Sequence, residues 1–400
     1  MHENENIQAV VAGHICLDII PDFNKGENVS LDNVLAPGKL INVGKAKLCT
    51  GGAVSNTGIA LSILGIKTKL MCKVGKDFFG EGVKRIIEEK NADSGIIEVE
   101  GEETSYTVII APPGIDRIFL HNPGANDTFC ADDINYDIVK EARLFHFGYP
   151  PLMKRFYQND GEELVKMFKK VKELGVTTSL DVALPDPTSE AGKADWRKIL
   201  TNVLPYVDIF IPSAEEIMYM LQIDAINSSD EGDKKGDPLE DLDLNILQVL
   251  GEKLISMGTK IAVVKCGLKG FYIRTAGSDA LMSLGKAAPE DLDNWADREL
   301  IEETFYVDRV VSAAGAGDNS IAGFLAAFLR GMSIEKSIRI ACAVGAQNVK
   351  VADTLSGVKT WDETLAMLPG WKKNRNTIRG DYWKYDAQKE VWIGKADKKF

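Results

Sequence analysis

Ser312-Ala313-Ala314-Gly315-Ala316-Gly317-Asp318 runs directly into an apolar stripe, Ile321, Phe324, Leu325, Phe328 and Leu329, at helical i, i+3, i+4 spacing. A turn of small residues that opens a helix aims several unsatisfied backbone N–H groups at one point, where the helix dipole adds roughly half a positive charge. That point attracts an anion, a phosphate above all. A carboxylate on the first turn would repel bound phosphate unless it had work of its own, and general base for an attacking hydroxyl is work it can do. The same residues also read as a glycine-rich turn whose Asp caps a helix, so the rest of the chain has to decide.

A second glycine-rich segment, Gly51-Gly52-Ala53-Val54-Ser55-Asn56-Thr57-Gly58, leads into a helix with Ala60, Leu61, Ile63 and Leu64 apolar and Gly65 as its stop. A strand follows, Thr68-Lys69-Leu70-Met71-Cys72-Lys73-Val74, and ends in Gly75-Lys76-Asp77-Phe78-Phe79-Gly80, another helix entry. Upstream, Ala9-Val10-Val11-Ala12-Gly13 is a buried-type strand that continues toward Asp18, a carboxylate in the apolar run Ile15-Cys16-Leu17-Asp18-Ile19-Ile20. Such a carboxylate needs a partner. Singly, these elements also read as an ordinary turn at Gly51-Gly52, a first-turn cap at Asn56 and a solvated strand end at Asp18.

Their order along the chain resembles the ribokinase-like (PfkB) family of carbohydrate kinases. The resemblance covers most of residues 7–360, with the glycine-rich signature at 51–82 and the Gly-Ala-Gly-Asp signature at 312–325. It implies an α/β fold: a doubly wound, mostly parallel sheet flanked by helices, with a small β lid. It also implies that Asp318 is the catalytic base, that the amides of Gly315, Ala316 and Gly317 form an anion hole for the transferring phosphoryl group, and that Asp18, Gly52 and Asn56 hold substrate hydroxyls. Short carboxylate and amide groups suit a polyol, because they accept and donate at fixed positions.

Departures from the family pattern bear on the ions. Relatives write Asp-Thr before the glycine turn, and that Asp belongs to a monovalent-cation site; here the positions are Ser312 and Ala313. The family's Asn-x-x-Glu motif, which organises the water shell of magnesium, appears as Ser213-Ala214-Glu215-Glu216, so Glu216 is retained and the Asn is not. After Leu144-Phe145-His146-Phe147-Gly148 ribokinase places a Glu in the sugar site; Tyr149 stands there, as in several non-ribose members.

No Walker-type phosphate loop occurs, and no Gly-x-Gly-x-x-Gly follows the first strand. The nucleotide candidate is Ile261–Ile273, two strands around a turn punctuated by Gly267 and Gly270 with Lys265 before it. It also reads as a plain hairpin; the resemblance makes it the ATP loop. Ser213 joins it, and Cys342 falls in the helix that lines the adenine pocket of relatives, where core packing is an equal reading. Residues 22–50 and 103–123 carry short strands and turn signals and correspond to the β lid, often a dimer surface, with Asp116-Arg117 at its tip. The charged stretch 228–243 reads as a surface insertion, and 276–300 as a second one.

The tail, 371–400, holds nine basic and four acidic residues, so it is +5 while the remainder of this net −12 chain is −17. Its interleaved Tyr382, Trp383, Tyr385 and Trp392 could stack single-stranded nucleic acid; a hairpin near 382–385 and 390–393, docked on the acidic body of residues 1–370, is the preferred expectation. The acidic balance disfavours nucleic acid and anionic membrane as partners. Six scattered cysteines without Cys-x-x-Cys spacing, no long apolar run and an acidic N-terminus point to a cytoplasmic enzyme. The expectation is an ATP- and Mg2+-dependent kinase of a sugar hydroxyl. A nucleoside kinase of the same superfamily and a non-catalytic sugar or nucleotide sensor are the alternatives.

Overall fold

The computed structural model describes residues 7–23, 36–90, 92–112, 118–223, 242, 244–374, 378 and 381–400. Strand β1 (Ala9–Gly13) is buried on both faces, as a near-continuous apolar run in a parallel sheet must be. It pairs in parallel with β4 (Thr68–Gly75) on one side and with β8 (Leu144–Gly148) on the other. The sheet grows outward to β5 (Asp93–Val99) beyond β4, and through β9 (Thr177–Asp181) and β10 (Ile209–Phe210) to β11 (Ile261–Lys265), all parallel. From β11 it continues antiparallel through β12 (Phe271–Thr275) and β13 (Glu299–Glu302). The expected loop around Gly267 and Gly270 is thus the turn of an antiparallel pair.

The tail residues add β14 (Trp383–Asp386) and β15 (Val391–Gly394), an antiparallel hairpin that completes an eleven-stranded order β14-β15-β13-β12-β11-β10-β9-β8-β1-β4-β5. Charge attraction between a basic tail and an acidic body describes only part of this docking. Lys373 pairs with buried Glu302, but Arg298 of the body, 1% exposed, donates Nε to the tail's Asp397 at 2.9 Å. A buried guanidinium needs an acid wherever the chain supplies one. Of the stretch 276–300, residues 299 and 300 belong to β13 itself, preceded by short helices Ser278–Leu281 and Leu292–Trp295.

A four-stranded sheet, β3-β2-β6-β7, is separate from the large one: β2 (Cys16–Ile20), β3 (Lys47–Gly51), β6 (Tyr106–Ile110) and β7 (Ile118–Asn122). Here the structure departs from the expected continuous strand through Asp18. The chain leaves the large sheet at Gly13, passes His14 and Ile15, and enters the lid sheet at Cys16, so Asp18 sits on the lid. The segment 24–35, the tip Asp116-Arg117 and, apart from buried Leu242, the insertion 228–243 lie outside the described residues. Helices α1 (Ala53–Ile63), α2 (Ala214–Leu221), α3 (Ala316–Leu329) and α4 (Ile334–Asn348) carry the remaining site residues. α1, α3 and α4 share one apolar core with the strands they cover, including Val11, Ile211, Val263, Phe324 and Ile338.

Candidate active site

The turn before α3 is built as the sequence reads. Gly315 is the N-cap residue in left-handed backbone (φ 72, ψ −2), and a Cβ there would lie 2.8 Å from Thr354 Cβ. Asn348 Nδ2 donates to Ala314 O at 2.7 Å, and Asn319 Nδ2 donates to Gly315 O at 2.7 Å and Thr354 O at 2.6 Å. These two asparagines, unmarked in the sequence, hold the carbonyls of Ala314 and Gly315. The Ala316 amide donates to Ala313 O at 3.2 Å, whereas the Gly315 and Gly317 amides have no backbone acceptor among the described residues. An anion over this turn would meet those two first.

Asp318, 4% exposed, begins the α3 core face. Its Oδ2 accepts Asn56 Nδ2 at 2.9 Å, and both oxygens accept Tyr149 Oη at 2.8 Å. Burial pushes its carboxyl above the usual range, against the opposing pull of Lys265 and of these hydrogen bonds. Asn56, expected on a substrate hydroxyl, gives its NH2 to Asp318 and leaves buried Oδ1 unpartnered. Tyr149 follows β8 with φ 70 and ψ 42, a left-handed conformation rarely adopted by a bulky side chain.

Asp18 finds the partner its surroundings demand in Cys16, whose Sγ donates to Oδ1 at 3.3 Å. Burial nevertheless raises its carboxyl to about 6. Gly51 leaves the room: a Cβ there would stand 2.4 Å from Asp18 Oδ2. Gly52, at φ 93, does the same for His14, which would meet a Cβ at 2.5 Å from Nδ1. Among the described residues His14 has no hydrogen-bond partner on either ring nitrogen; it stands 5.3 Å from the His121 ring and 6.0 Å from that of Tyr149, and burial lowers its pKa to about 3. It is therefore a neutral donor and acceptor at the junction of the two sheets, between Gly52 and Tyr149. The sequence offered no signal for it beyond a polar residue after a buried strand.

On the other side of Asp318, Lys265 ends β11 and pairs with Asp181 at the end of β9, Nζ to Oδ1 2.7 Å, and with Glu216 at 4.0 Å. Ser213 bridges to Lys265 and caps α2: its Oγ accepts the Glu216 amide at 3.2 Å, and Glu216 Oε2 accepts the Ser213 amide at 2.6 Å. Burial raises both Asp181 and Glu216, with Lys265 opposing. Gly270 and Cys342 both approach the end of β13: a Cβ on Gly270 would lie 2.0 Å from Glu302 O, and Cys342 Sγ donates to that carbonyl at 3.6 Å. Cys342 is a core residue here, and Gly267 is exposed in the loop. A cavity of about 800 Å3 lined in part by Phe305, Arg339, Trp371 and Lys373 touches none of the expected site residues.

Asp318 thus joins Asn56 and Tyr149 on one side to the Gly315–Gly317 turn on the other, where Lys265 lies beside Gly317 and is paired with Asp181 and Glu216. The solved structure of Arabidopsis thaliana ribokinase complexed with ribose and ATP has the same fold, with a TM-score of 0.68 at 20% identity over 91% of this chain and 99% of that one. A probable fructokinase-3 of Arabidopsis thaliana is 25% identical over 381 residues, 93% of this chain and 94% of that protein. An uncharacterized sugar kinase of Archaeoglobus fulgidus is 27% identical over 293 residues, 73% of this chain and 95% of that protein. The pattern of the pfkB family carbohydrate kinases matches residues 8–361, and the chain belongs to that family.

Proposed function

We propose that the protein transfers the γ-phosphoryl group of ATP to a hydroxyl of a small sugar, with Asp318 as general base. The observation that carries this reading is the placement of Asp318, beside the Gly315–Gly317 turn and facing the junction with the lid sheet. A base must reach the hydroxyl while the phosphate sits on the amides, and only a residue between the two regions does both. Tyr149 and Asn56 orient its carboxylate. Asp18, from the lid, accepts a second sugar hydroxyl, and lid closure over the cleft excludes water that would otherwise take the phosphoryl group. Gly315 and Gly317 amides with Lys265 meet the negative oxygens of the transferring group.

Magnesium fits the hard oxygen donors here: buried Asp181 Oδ2 has no hydrogen-bond partner among the described residues, and Glu216 presents a carboxylate to the same lysine. Bound through water to Glu216, the ion would neutralise phosphate charge as the transfer proceeds. Gly267 and Gly270 shape the loop that borders the nucleotide, with Ser213 beneath it and Cys342 as packing behind. The reading includes a cytoplasmic location and a homodimer through the lid sheet, whose Leu48 and Leu120 are half exposed. The deciding experiment is a coupled assay of ADP release against a panel of hexoses, pentoses and nucleosides with MgATP. Sugar-dependent release supports the reading; a nucleoside as the sole acceptor, or no acceptor beyond background hydrolysis, removes it.

A further inference from the structure

The residue that stands out after the site is assembled is Asp181. It is fully buried at the C-terminal end of β9, and its Oδ2 has no hydrogen-bond partner among the described residues. Registers explain how it meets Lys265. Leu180 is level with Phe210 on β10, and Phe210 with Ala262 on β11, so Asp181 is level with Val263 and on the same sheet face as Lys265 two residues on. That face carries α3. β10 pairs over only two residues before the chain turns off through Pro212 into the Ser213 cap. The lysine leans back across this short strand to reach Asp181.

The same lean carries it over the phosphate turn. Cδ, Cε and Nζ of Lys265 lie 3.6, 3.8 and 3.8 Å from where a Cβ on Gly317 would stand. One ammonium thus sits beside the first turn of α3, facing Asp181 at 2.7 Å, Glu216 at 4.0 Å and, across the turn, Asp318. A lysine side chain has rotatable bonds enough to scatter its charge over several ångströms, and ordering it costs conformational entropy. A buried carboxylate whose one side-chain hydrogen bond among the described residues is to that ammonium supplies the ordering before any ligand arrives.

We propose that Asp181 is a positioning residue that fixes Lys265 Nζ against the N-terminal turn of α3, so that the phosphate subsite holds a preset positive charge selective for the terminal phosphate of a nucleoside triphosphate. This rests on the kinase reading for the identity of the ligand. It assigns Asp181 Oδ1 a role exerted through Lys265, distinct from the fit of Oδ2 for magnesium, and the binding measurements without magnesium separate the two. Because Nζ lies beside Gly317, at the turn where the proposed function seats the transferring phosphoryl group, its charge acts on the outermost phosphate, and ATP gains from it while ADP does not.

The test is a double-mutant cycle read by equilibrium binding of ATP and of ADP, each with and without magnesium, in calorimetry on the full chain. Asp181→Asn and Lys265→Met are each expected to weaken ATP at least tenfold and ADP less than threefold, and the double variant to be no weaker than Lys265→Met alone. Asp181→Glu, which keeps the charge but displaces Nζ, serves as the second variant and is expected to lose ATP affinity in the same sense. Additive losses in the cycle, equal losses for ATP and ADP, or full ATP affinity in Asp181→Glu overturn the proposal. Binding separates this outcome from that of the kinase reading. If wild-type protein binds ATP with the expected cycle but phosphorylates no sugar, the kinase reading alone falls; if it phosphorylates sugar with an additive cycle, the positioning role alone falls.

Discussion

Tyr149 donates its phenolic hydrogen to both carboxylate oxygens of Asp318 at 2.8 Å, from a backbone held at φ 70 immediately after β8. A left-handed conformation on a bulky residue costs on the order of 1–3 kcal/mol and persists only where the surroundings impose it. Tyr149 N–H donates to Asp181 O at 3.3 Å, which ties this strained residue to the same strand end that holds Lys265. The contact orients Asp318 and stabilises its charged form, which burial alone opposes.

Phenylalanine at 149 keeps the ring and removes that hydrogen bond. The charged form of Asp318 loses a hydrogen bond that favours it, so the carboxyl rises further above its usual range. The base works deprotonated. The acidic limb of kcat/KM in Tyr149→Phe is therefore expected to move to higher pH, with the alkaline limb unmoved. An unchanged acidic limb in a full pH profile would show that Tyr149 does not tune Asp318.

Asp318→Asn leaves the amides of Gly315 and Gly317 in place and removes the base. Turnover is expected to fall roughly 10²–10⁴-fold, with ATP affinity by calorimetry within a few-fold of wild type. Near-normal turnover with the best sugar would reassign the base.

Burial raises the Asp18 carboxyl to about 6, so its charged form, the better acceptor for a sugar hydroxyl, is lost as pH falls through that value. The sugar KM is expected to climb below about pH 6 while the ATP KM stays flat. In Asp18→Asn the sugar KM is high at every pH and the climb disappears. A parallel rise of both constants in wild-type steady-state kinetics would mean that Asp18 supports the fold and not the sugar.

Ser312 stands where relatives carry a cation-binding Asp, and its hydroxyl accepts the Ala314 amide at 3.1 Å. A neutral hydroxyl committed to a turn is a weaker ligand than a carboxylate. Magnesium is expected to be essential and potassium nearly dispensable. Exchanging sodium for potassium at constant ionic strength measures this, and a several-fold rise specific to potassium would show an ion site surviving on backbone carbonyls.

The tail is anchored by a buried pair. Arg298 donates to Asp397 at 2.9 Å and lies 3.3 Å from Glu335, so Asp397→Ala leaves a buried guanidinium with half its compensation. Breaking such a pair costs roughly 3–5 kcal/mol, and a clear drop in the thermal midpoint is expected. Lys384→Ala, exposed on β14, serves as the control that leaves the midpoint unchanged. Equal melting of the two variants would show that the hairpin adds nothing to the stability of the sheet.

The glycine turn before α3, the Asp on its first turn, the apolar run of β1 and the tail hairpin were all legible from the chain alone, because each is a local statement. A small-residue turn, a helical stripe or an alternating run is encoded within a dozen residues, and backbone chemistry leaves few ways to satisfy it. The family order then placed Asp18 and Asp318 in one enzyme. It did not reveal that Asp18 stands on a separate sheet from β1, since an apolar run through a carboxylate looks the same whether or not the chain changes sheets at His14. Nor could it pair Tyr149 with Asp318, 169 residues apart, or Asp181 with Lys265, 84 apart. Those contacts depend on which strands lie side by side and in what register: β10 must be short, and β9 and β11 must flank it, before a lysine can lean across to an aspartate. Long-range electrostatics among buried groups are set by that geometry, so only the tertiary structure decided where the charges of the site reside.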